Sequence, residues 1–154
     1  PAKTESINFK ELVASVLDDH RFSPDFDTIQ FSIEDLTDGP VTLDSLRLKI
    51  VLNNLISNAI KFRWTGDDRI STVRIILEKI QTGGLKLSVA DNGRGIQAQH
   101  LSKLFDMFYR ATADAPGSGL GLYIVKESVK KMKGEITVQS TPGKGTTFTI
   151  TLPA

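Results

Sequence analysis

Two asparagines and a lysine share one face of a predicted helix. Asn54, Asn58 and Lys61 stand at positions i, i+4 and i+7, and residues three and four apart are neighbours on a helix surface. Asparagine is a poor helix former, so two on one face require a reason. Carboxamide oxygens can ligate a hard cation such as Mg²⁺, and a lysine can contact phosphate. A solvated polar face without a ligand explains this helix equally well.

A strand-ending aspartate and two glycines follow this helix. Asp91 is predicted to end a strand, and Gly93 and Gly95 come directly after it, where glycine lets backbone approach a ligand closely. A carboxylate in this place can accept a hydrogen bond from the exocyclic amine of adenine, although a plain turn is also common. The segment from Gly93 to Ala98 fits a dinucleotide fingerprint too. That fingerprint belongs in a βαβ unit, whereas a predicted hairpin precedes this segment and a long loop follows it.

A second glycine-rich segment opens a later helix. Gly117, Gly119 and Gly121 precede or begin a helix predicted from about Leu120 to Met132. The first N–H groups and the positive dipole end of a helix form an anion site. The sequence contains no G-x-x-x-x-G-K-[ST] motif, which excludes a P-loop. Taken alone, this segment is weak evidence for a phosphate site.

The connection between the two glycine-rich segments is long for a compact domain. Residues from about 92 to 118 contain one short predicted helix, about Gln97 to Leu104, and are otherwise rich in Ala, Asp, Pro and Gly. Loops of this size tend to be functional lids. Arg110 lies within this lid, where its guanidinium could reach terminal phosphates.

Alternating apolar residues predict several half-buried strands, and apolar stripes predict three longer helices. The strands centre on Phe31, Ile75, Leu87, Val138 and Ile150, and the helices lie near 7–17, 46–62 and 120–132. One polar and one buried face per strand favours helices on a single side of the sheet. We therefore predict an α/β fold, a two-layer sandwich with a mixed, mostly antiparallel sheet and helices on one face.

Composition limits the function classes. The 154 residues suit a single domain, residues 1–154. A net charge of +1 gives no support for binding nucleic acid or an anionic membrane. The absence of cysteine excludes disulfides and cysteine-ligated metals. Because the chain opens with Pro1 and carries no signal-peptide pattern, we expect a piece of a longer protein. No apolar run of about 18 residues is present that could span a membrane. The absence of cysteine also fits a reducing compartment, and we expect a cytoplasmic domain whose parent protein is either membrane-anchored or soluble.

Taken together, the segments resemble sensor histidine kinases. All four sequence boxes of that family occur in order, followed by its usual ending: Asn54–Phe62 (N box), Asp91–Ile96 (G1 box), Phe105–Arg110 (F box), Gly117–Leu122 (G2 box) and Thr141–Phe148. The similarity runs from about Ile7 to Pro153. Each box is modest evidence, whereas the ordered set is strong.

The resemblance implies a Bergerat-type fold that binds ATP and Mg²⁺. It makes Asn58 the principal Mg²⁺ ligand, assisted by Asn54, with Lys61 on phosphate, and these three form the catalytic set. It also implies that Asp91 binds the adenine amine. The other nucleotide-binding residues implied are Gly93, Gly95, Ile96, Arg110, Gly117, Gly119, Leu120, Gly121, Leu122 and Thr146 or Thr147.

The implied reaction is transfer of the ATP γ-phosphoryl group to a histidine. That histidine is expected on an upstream dimerisation hairpin outside this chain, with a response-regulator receiver domain acting downstream. The isolated domain should be a monomer that binds ATP without autophosphorylation. Asn54 replaces the glutamate of ATP-hydrolysing relatives, and a carboxamide cannot act as a general base. Ile50 and Met107 depart from the family pattern and keep a second hypothesis open, a non-catalytic, nucleotide-dependent interaction module.

Overall fold

The computed structural model describes residues 3–109 and 119–153. Two of the predicted site residues, Arg110 and Gly117, lie outside this part of the chain. The predictions for these two residues therefore stay predictions.

Five strands form one mixed sheet. Their spatial order is β2 (Ile29–Asp35), β4 (Ser71–Lys79), β5 (Leu85–Asp91), β7 (Gly145–Leu152) and β6 (Glu135–Thr141). β2 and β4 are parallel, and the other three neighbouring pairs are antiparallel. The mixed, mostly antiparallel sheet is confirmed. A small antiparallel sheet pairs β1 (Glu5–Ile7) with β3 (Val41–Leu43), and this pairing was not predicted.

In the described part of the chain, four α-helices accompany the sheet: α1 (Phe9–Asp19), α2 (Ser45–Lys61), α3 (Ala98–Leu101) and α4 (Gly121–Lys131). Asp44 caps α2, since its carboxylate accepts a hydrogen bond from the Arg47 N–H at 3.1 Å. α3 is shorter than the predicted helix, because it ends at Leu101 and not near Leu104. No helix within residues 3–109 and 119–153 is long and apolar enough to cross a bilayer.

The hydrophobic core lies between the helices and one face of the sheet. The predicted stripe of α2 is buried, together with the alternate residues of the central strands: Leu48, Val51, Leu52, Leu55, Ile56, Ala59, Val73, Ile75, Leu77, Leu87, Val89, Phe148, Ile150 and Leu152. α2 packs against α1 on one side and α4 on the other. The two-layer sandwich is thus confirmed, and α2 is its central helix.

The sheet register places the chemistry at one end of this sandwich. Asp91, the last residue of β5, is the direct partner of Thr146 in β7, and Thr146 is the partner of Ser140 in β6. Directly paired residues project to the same face, and for these three it is the face that carries the core residues of β5 and β7. The polar row therefore continues the hydrophobic core at the carboxyl end of β5.

Truncating the core side of α2 should destabilise the domain far more than truncating its solvent side. Leu52 has no exposed surface, whereas Leu46 is 68% exposed. Leu52→Ala should lower the free energy of unfolding by about 2–5 kcal/mol because it leaves a cavity. Leu46→Ala should change it by less than about 0.5 kcal/mol. Urea unfolding of both variants checks this, and equal losses would contradict the packing described.

Candidate functional site

Asp91 is a carboxylate held by backbone donors in a largely buried position. Its Oδ1 accepts hydrogen bonds from the N–H groups of Gly93 at 2.9 Å and Thr146 at 3.3 Å. Burial raises the pKa of Asp91 to about 6, and the bonds from Gly93 and Thr146 oppose that rise. At neutral pH the side chain is therefore a charged acceptor fixed in direction and poorly hydrated.

Ser140 connects Asp91's neighbours into one hydrogen-bonded group. Its Oγ accepts a hydrogen bond from the Ile96 N–H at 2.7 Å and lies 2.8 Å from the Thr146 Oγ1. Ile96 and Thr146 are both buried. The sequence analysis missed Ser140, because a serine in an alternating strand gives no signal of its own.

Gly93 and Gly95 are required by the protein backbone around them. A Cβ on Gly93 would lie 2.2 Å from the carbonyl oxygen of Phe62, just after α2, and one on Gly95 would lie 2.2 Å from that of Thr141. Between them, the Arg94 N–H donates to the Phe62 carbonyl at 2.9 Å. Residues 92–96 therefore pass closely between the end of α2 and the β6–β7 turn, and the predicted nucleotide contacts of both glycines stay predictions.

The three polar residues of α2 lie half-buried on the side of the helix that meets α4. The Asn54 Nδ2 donates to the Ile50 carbonyl at 2.8 Å. The Asn54 Oδ1 would be 3.1 Å from a Cβ on Gly121, the first residue of α4. Asn58 and Lys61 follow along the same helix. Asn54 and the start of α4 therefore lie side by side, and the predicted ligand contacts of Asn54, Asn58 and Lys61 stay predictions.

Gly119 brings the two flanks of residues 110–118 into contact. The Phe108 N–H donates to the Gly119 carbonyl at 3.0 Å, and a Cβ on Gly119 would lie 2.7 Å from the Phe108 carbonyl carbon. Gly119 has φ +79°. Leu120 and Leu122 are half-buried beside it, and α4 begins without a side-chain cap. The close contact with Phe108 therefore explains why position 119 is a glycine, and the predicted role of Gly119 at phosphate stays a prediction.

The residues before 110 are anchored on the sheet. Leu104 is buried, and Phe105 packs edge to face against Phe148 of β7 with ring centroids 6.1 Å apart. A hydrogen bond joins the His100 Nδ1 and the Tyr109 hydroxyl. The first part of the predicted lid thus rests against the same sheet face as Asp91.

Arg69 and Asn92 are further residues that the sequence analysis did not single out. The Asn92 side chain accepts from the Thr72 N–H at 2.8 Å and donates to the Ile70 carbonyl at 2.8 Å. The Arg69 guanidinium donates to the carbonyls of Asn92 and Gly143, each at 2.8 Å. Both residues join segments distant in sequence. Asn92 lies within the predicted G1 box, whereas no local pattern indicates Arg69.

The chain is similar to proteins of one family. The family described as "Histidine kinase-, DNA gyrase B-, and HSP90-like ATPase" matches residues 43–154. The sensor protein EvgS of Escherichia coli O157:H7 is 39% identical over 115 residues, which are 73% of this chain and 10% of EvgS. The autoinducer 2 sensor kinase/phosphatase LuxQ of Vibrio parahaemolyticus is 37% identical over 131 residues, 81% of this chain and 15% of LuxQ.

Solved structures agree with these relatives. The mycobacterial sensor histidine kinase MprB has a TM-score of 0.79 and 31% identity, with 97% of both chains covered. The catalytic domain of the histidine kinase ThkA has a TM-score of 0.78 and 27% identity, with 98% of this chain and 95% of that chain covered. The present chain thus covers nearly all of the solved MprB and ThkA chains, while it spans 10–15% of EvgS and LuxQ.

Two glycines of the β6–β7 turn give a matched test of the backbone around Asp91. A Cβ on Gly145 (φ +135°) would lie 2.0 Å from the Asp91 carbonyl oxygen, whereas one on Gly143 (φ +79°) would meet nothing within 4 Å. Gly143→Ala should cost about 1 kcal/mol from backbone strain alone. Gly145→Ala should cost about 3 kcal/mol or more because a clash is added. Equal losses in urea unfolding would show that the close approach at Asp91 is unimportant.

The buried carboxylate should make stability fall with rising pH. Between its ordinary pKa of 3.8 and the raised pKa of about 6, Asp91 keeps its proton in the folded state and loses it in the unfolded state. The contribution of Asp91 to the free energy of unfolding therefore decreases as the pH rises through this window. Asp91→Asn should be more stable than the wild type by about 2–3 kcal/mol at pH 7, with little difference near pH 4. Urea unfolding at both pH values checks this, and a difference independent of pH would contradict it.

Proposed function

The chain belongs to the histidine kinase-, DNA gyrase B- and HSP90-like ATPase family, and we propose that it binds Mg-ATP between Asp91, α2 and α4 for transfer to a histidine. Its relatives and structural neighbours are sensor histidine kinases, so it is an ATP-binding catalytic domain of that type. The observation that carries the assignment of the site is the convergence of α2, the end of β5, the β6–β7 hairpin and the start of α4 around Asp91 and Asn54.

The adenine end of the proposed site is Asp91. Two backbone donors fix its Oδ1, and burial has removed much of its hydration, so a further hydrogen-bond donor would be favourable. The exocyclic amine of adenine is such a donor. Gly93, Gly95, Ile96 and Thr146 then surround the base, because all four lie on segments bonded to or packed against Asp91's neighbours.

The phosphate end is the polar face of α2 together with the start of α4. Because the Asn54 Nδ2 is bonded to Ile50, its Oδ1 faces Gly121. Carboxamide oxygens suit Mg²⁺, so Asn58 and Asn54 fit the metal and Lys61 fits phosphate. Neutral ligands hold a divalent cation weakly, and Mg²⁺ should therefore bind together with the nucleotide, where it would neutralise phosphate charge.

The start of α4 would receive the phosphate chain. Its uncapped N–H groups and dipole favour an anion, which places phosphate beside Gly119, Leu120, Gly121 and Leu122. Arg110 and Gly117 complete the proposed set from the lid, about residues 92–118.

The fate of the γ-phosphoryl group follows from the chemistry of Asn54. A carboxamide cannot take a proton from water, so efficient hydrolysis lacks its base. Positioning and charge neutralisation suffice for transfer to a better nucleophile. We assign that role to a histidine on a dimerisation hairpin elsewhere in the parent protein, with a response-regulator receiver domain as the later acceptor. The domain alone should be a monomer that does not label itself.

Two asparagines of α2 provide a matched test of this site. Asn58 lies on the proposed metal face, whereas Asn53 is exposed and its Oδ1 lies 2.7 Å from the His20 Nε2. Asn58→Ala should weaken Mg-ATP binding at least about ten-fold in calorimetric titration, because the cation loses a ligand. Asn53→Ala should bind like the wild type.

The outcomes separate the candidate functions. Equal binding by the two variants would refute the metal site, and absence of binding in the folded wild type would refute the nucleotide site. If the wild type binds Mg-ATP, the parent protein's histidine-bearing hairpin is added in trans. Phosphorylation of that hairpin supports the kinase function. ATP binding without phosphorylation of the hairpin supports a nucleotide-dependent interaction module.

A further inference from the structure

We propose that Arg69 is a positioning residue for the adenine end of the site, acting through Asp91 on the choice of base. Arg69 lies in the connection between α2 and β4, outside every segment that resembles a family box. The inference rests on the proposed function, because it takes Asp91 as the group that contacts adenine.

The Arg69 guanidinium bridges the two segments that flank Asp91. One nitrogen donates to the carbonyl of Asn92, the residue after Asp91, and the other donates to the carbonyl of Gly143 in the β6–β7 turn. Gly145, two residues beyond Gly143, is the glycine whose Cα approaches the Asp91 carbonyl. The planar guanidinium holds its donors in a rigid fork, so the two segments are kept at a fixed separation.

This bridge controls the donors of the Asp91 carboxylate. The Asp91 Oδ1 is oriented by the N–H of Gly93, adjacent to Asn92, and by the N–H of Thr146, adjacent to Gly145. A shift of either segment changes the direction in which the free lone pairs of the carboxylate point. Arg69 is therefore linked to the carboxylate from both sides without touching the proposed nucleotide.

The loop that carries Arg69 is built to hold it in place. The Arg69 guanidinium stacks 4.0 Å from the centroid of the Trp64 ring. The Trp64 Nε1 donates to the Asp68 Oδ1 at 2.7 Å, and a Cβ on Gly66 would lie 2.5 Å from that Nε1. Stacking on an aromatic face orders the guanidinium in advance, which lowers the entropy lost when it forms its two hydrogen bonds.

The ratio of ATP affinity to ITP affinity distinguishes a positioning role of Arg69 from a general contribution to stability. Adenine presents an amine, a donor, where hypoxanthine presents a carbonyl, an acceptor. A well-oriented Asp91 carboxylate accepts from the first and repels the second, so the wild type should bind Mg-ATP more tightly than Mg-ITP. Loss of the Arg69 bridge should affect mainly the ATP complex, because only that complex uses the orientation of Asp91.

The experiment measures Mg-ATP and Mg-ITP affinities of Arg69→Gln and Arg69→Lys by calorimetry, with urea unfolding alongside. Arg69→Gln should weaken ATP binding about ten-fold and bring the ATP/ITP affinity ratio toward one. Arg69→Lys keeps the charge but loses the fork, so its ratio should be intermediate. Arg74→Gln is the matched control, since the Arg74 guanidinium forms a half-exposed ion pair with Glu34 at 2.9 Å and not a bridge between Asn92 and Gly143. Its ratio should equal that of the wild type.

Three results would overturn the inference. Equal weakening of ATP and ITP in Arg69→Gln, or an unchanged ratio, would make Arg69 a merely structural residue. If Arg69→Gln does not fold, a wild-type ratio in folded Arg69→Lys would have the same meaning. A wild type that binds both nucleotides equally would remove Asp91 as the base contact, whereas one that binds neither would refute the proposed function itself.

Discussion

Removing the Asp91 carboxylate from water is the constraint on which the site depends. A charged group with little hydration must be compensated by hydrogen bonds, and here the bonds come from the N–H groups of Gly93 and Thr146. Both donors must approach closely, which requires glycine at Gly93 and Gly145, where any Cβ would collide with backbone. The backbone arrangement at this end of the sheet is thus a consequence of one buried charge.

Under the proposed function, this arrangement sets the stability of the domain against ligand binding at Asp91. Burial raises the pKa of Asp91 to about 6, so the folded state bears an energetic cost at neutral pH that a neutral side chain would avoid. A fixed and poorly hydrated carboxylate is also a selective acceptor for a ligand donor. A stability cost of this kind is common at binding sites, because the feature that lowers stability also recognises the ligand.

Much of the fold could be predicted from local patterns, because those patterns are imposed by the core. The stripe of α2 and the alternation of β4, β5 and β7 correspond to residues that are buried. Three-residue strands such as β1 contain too little alternation to be distinguished from a loop, and β1 pairs with a strand far along the chain. The dinucleotide fingerprint at Gly93 failed for a topological reason, since β5 has antiparallel neighbours on both sides.

The residues around the site also divide into those that a sequence pattern could predict and those that it could not. Asn54, Asp91 and Gly121 could be predicted as site residues because their types and spacing belong to boxes that resemble a family, and their roles stay predictions. Arg69 and Ser140 act through contacts with segments up to 74 positions away. Such contacts arise from tertiary folding, and no periodicity or motif in a single sequence encodes them.

The hydrogen bond between Phe108 and Gly119 has a consequence for how the predicted lid can evolve. The two ends of the segment between these residues are already joined by the protein itself, so the entropy of closing the chain there is settled before any ligand arrives. That entropy grows only with the logarithm of loop length, about 0.6 kcal/mol for each doubling. Insertions and deletions between these residues are therefore thermodynamically cheap. Length there is free to vary among descendants of this sequence while the sheet, α2 and Asp91 keep their places.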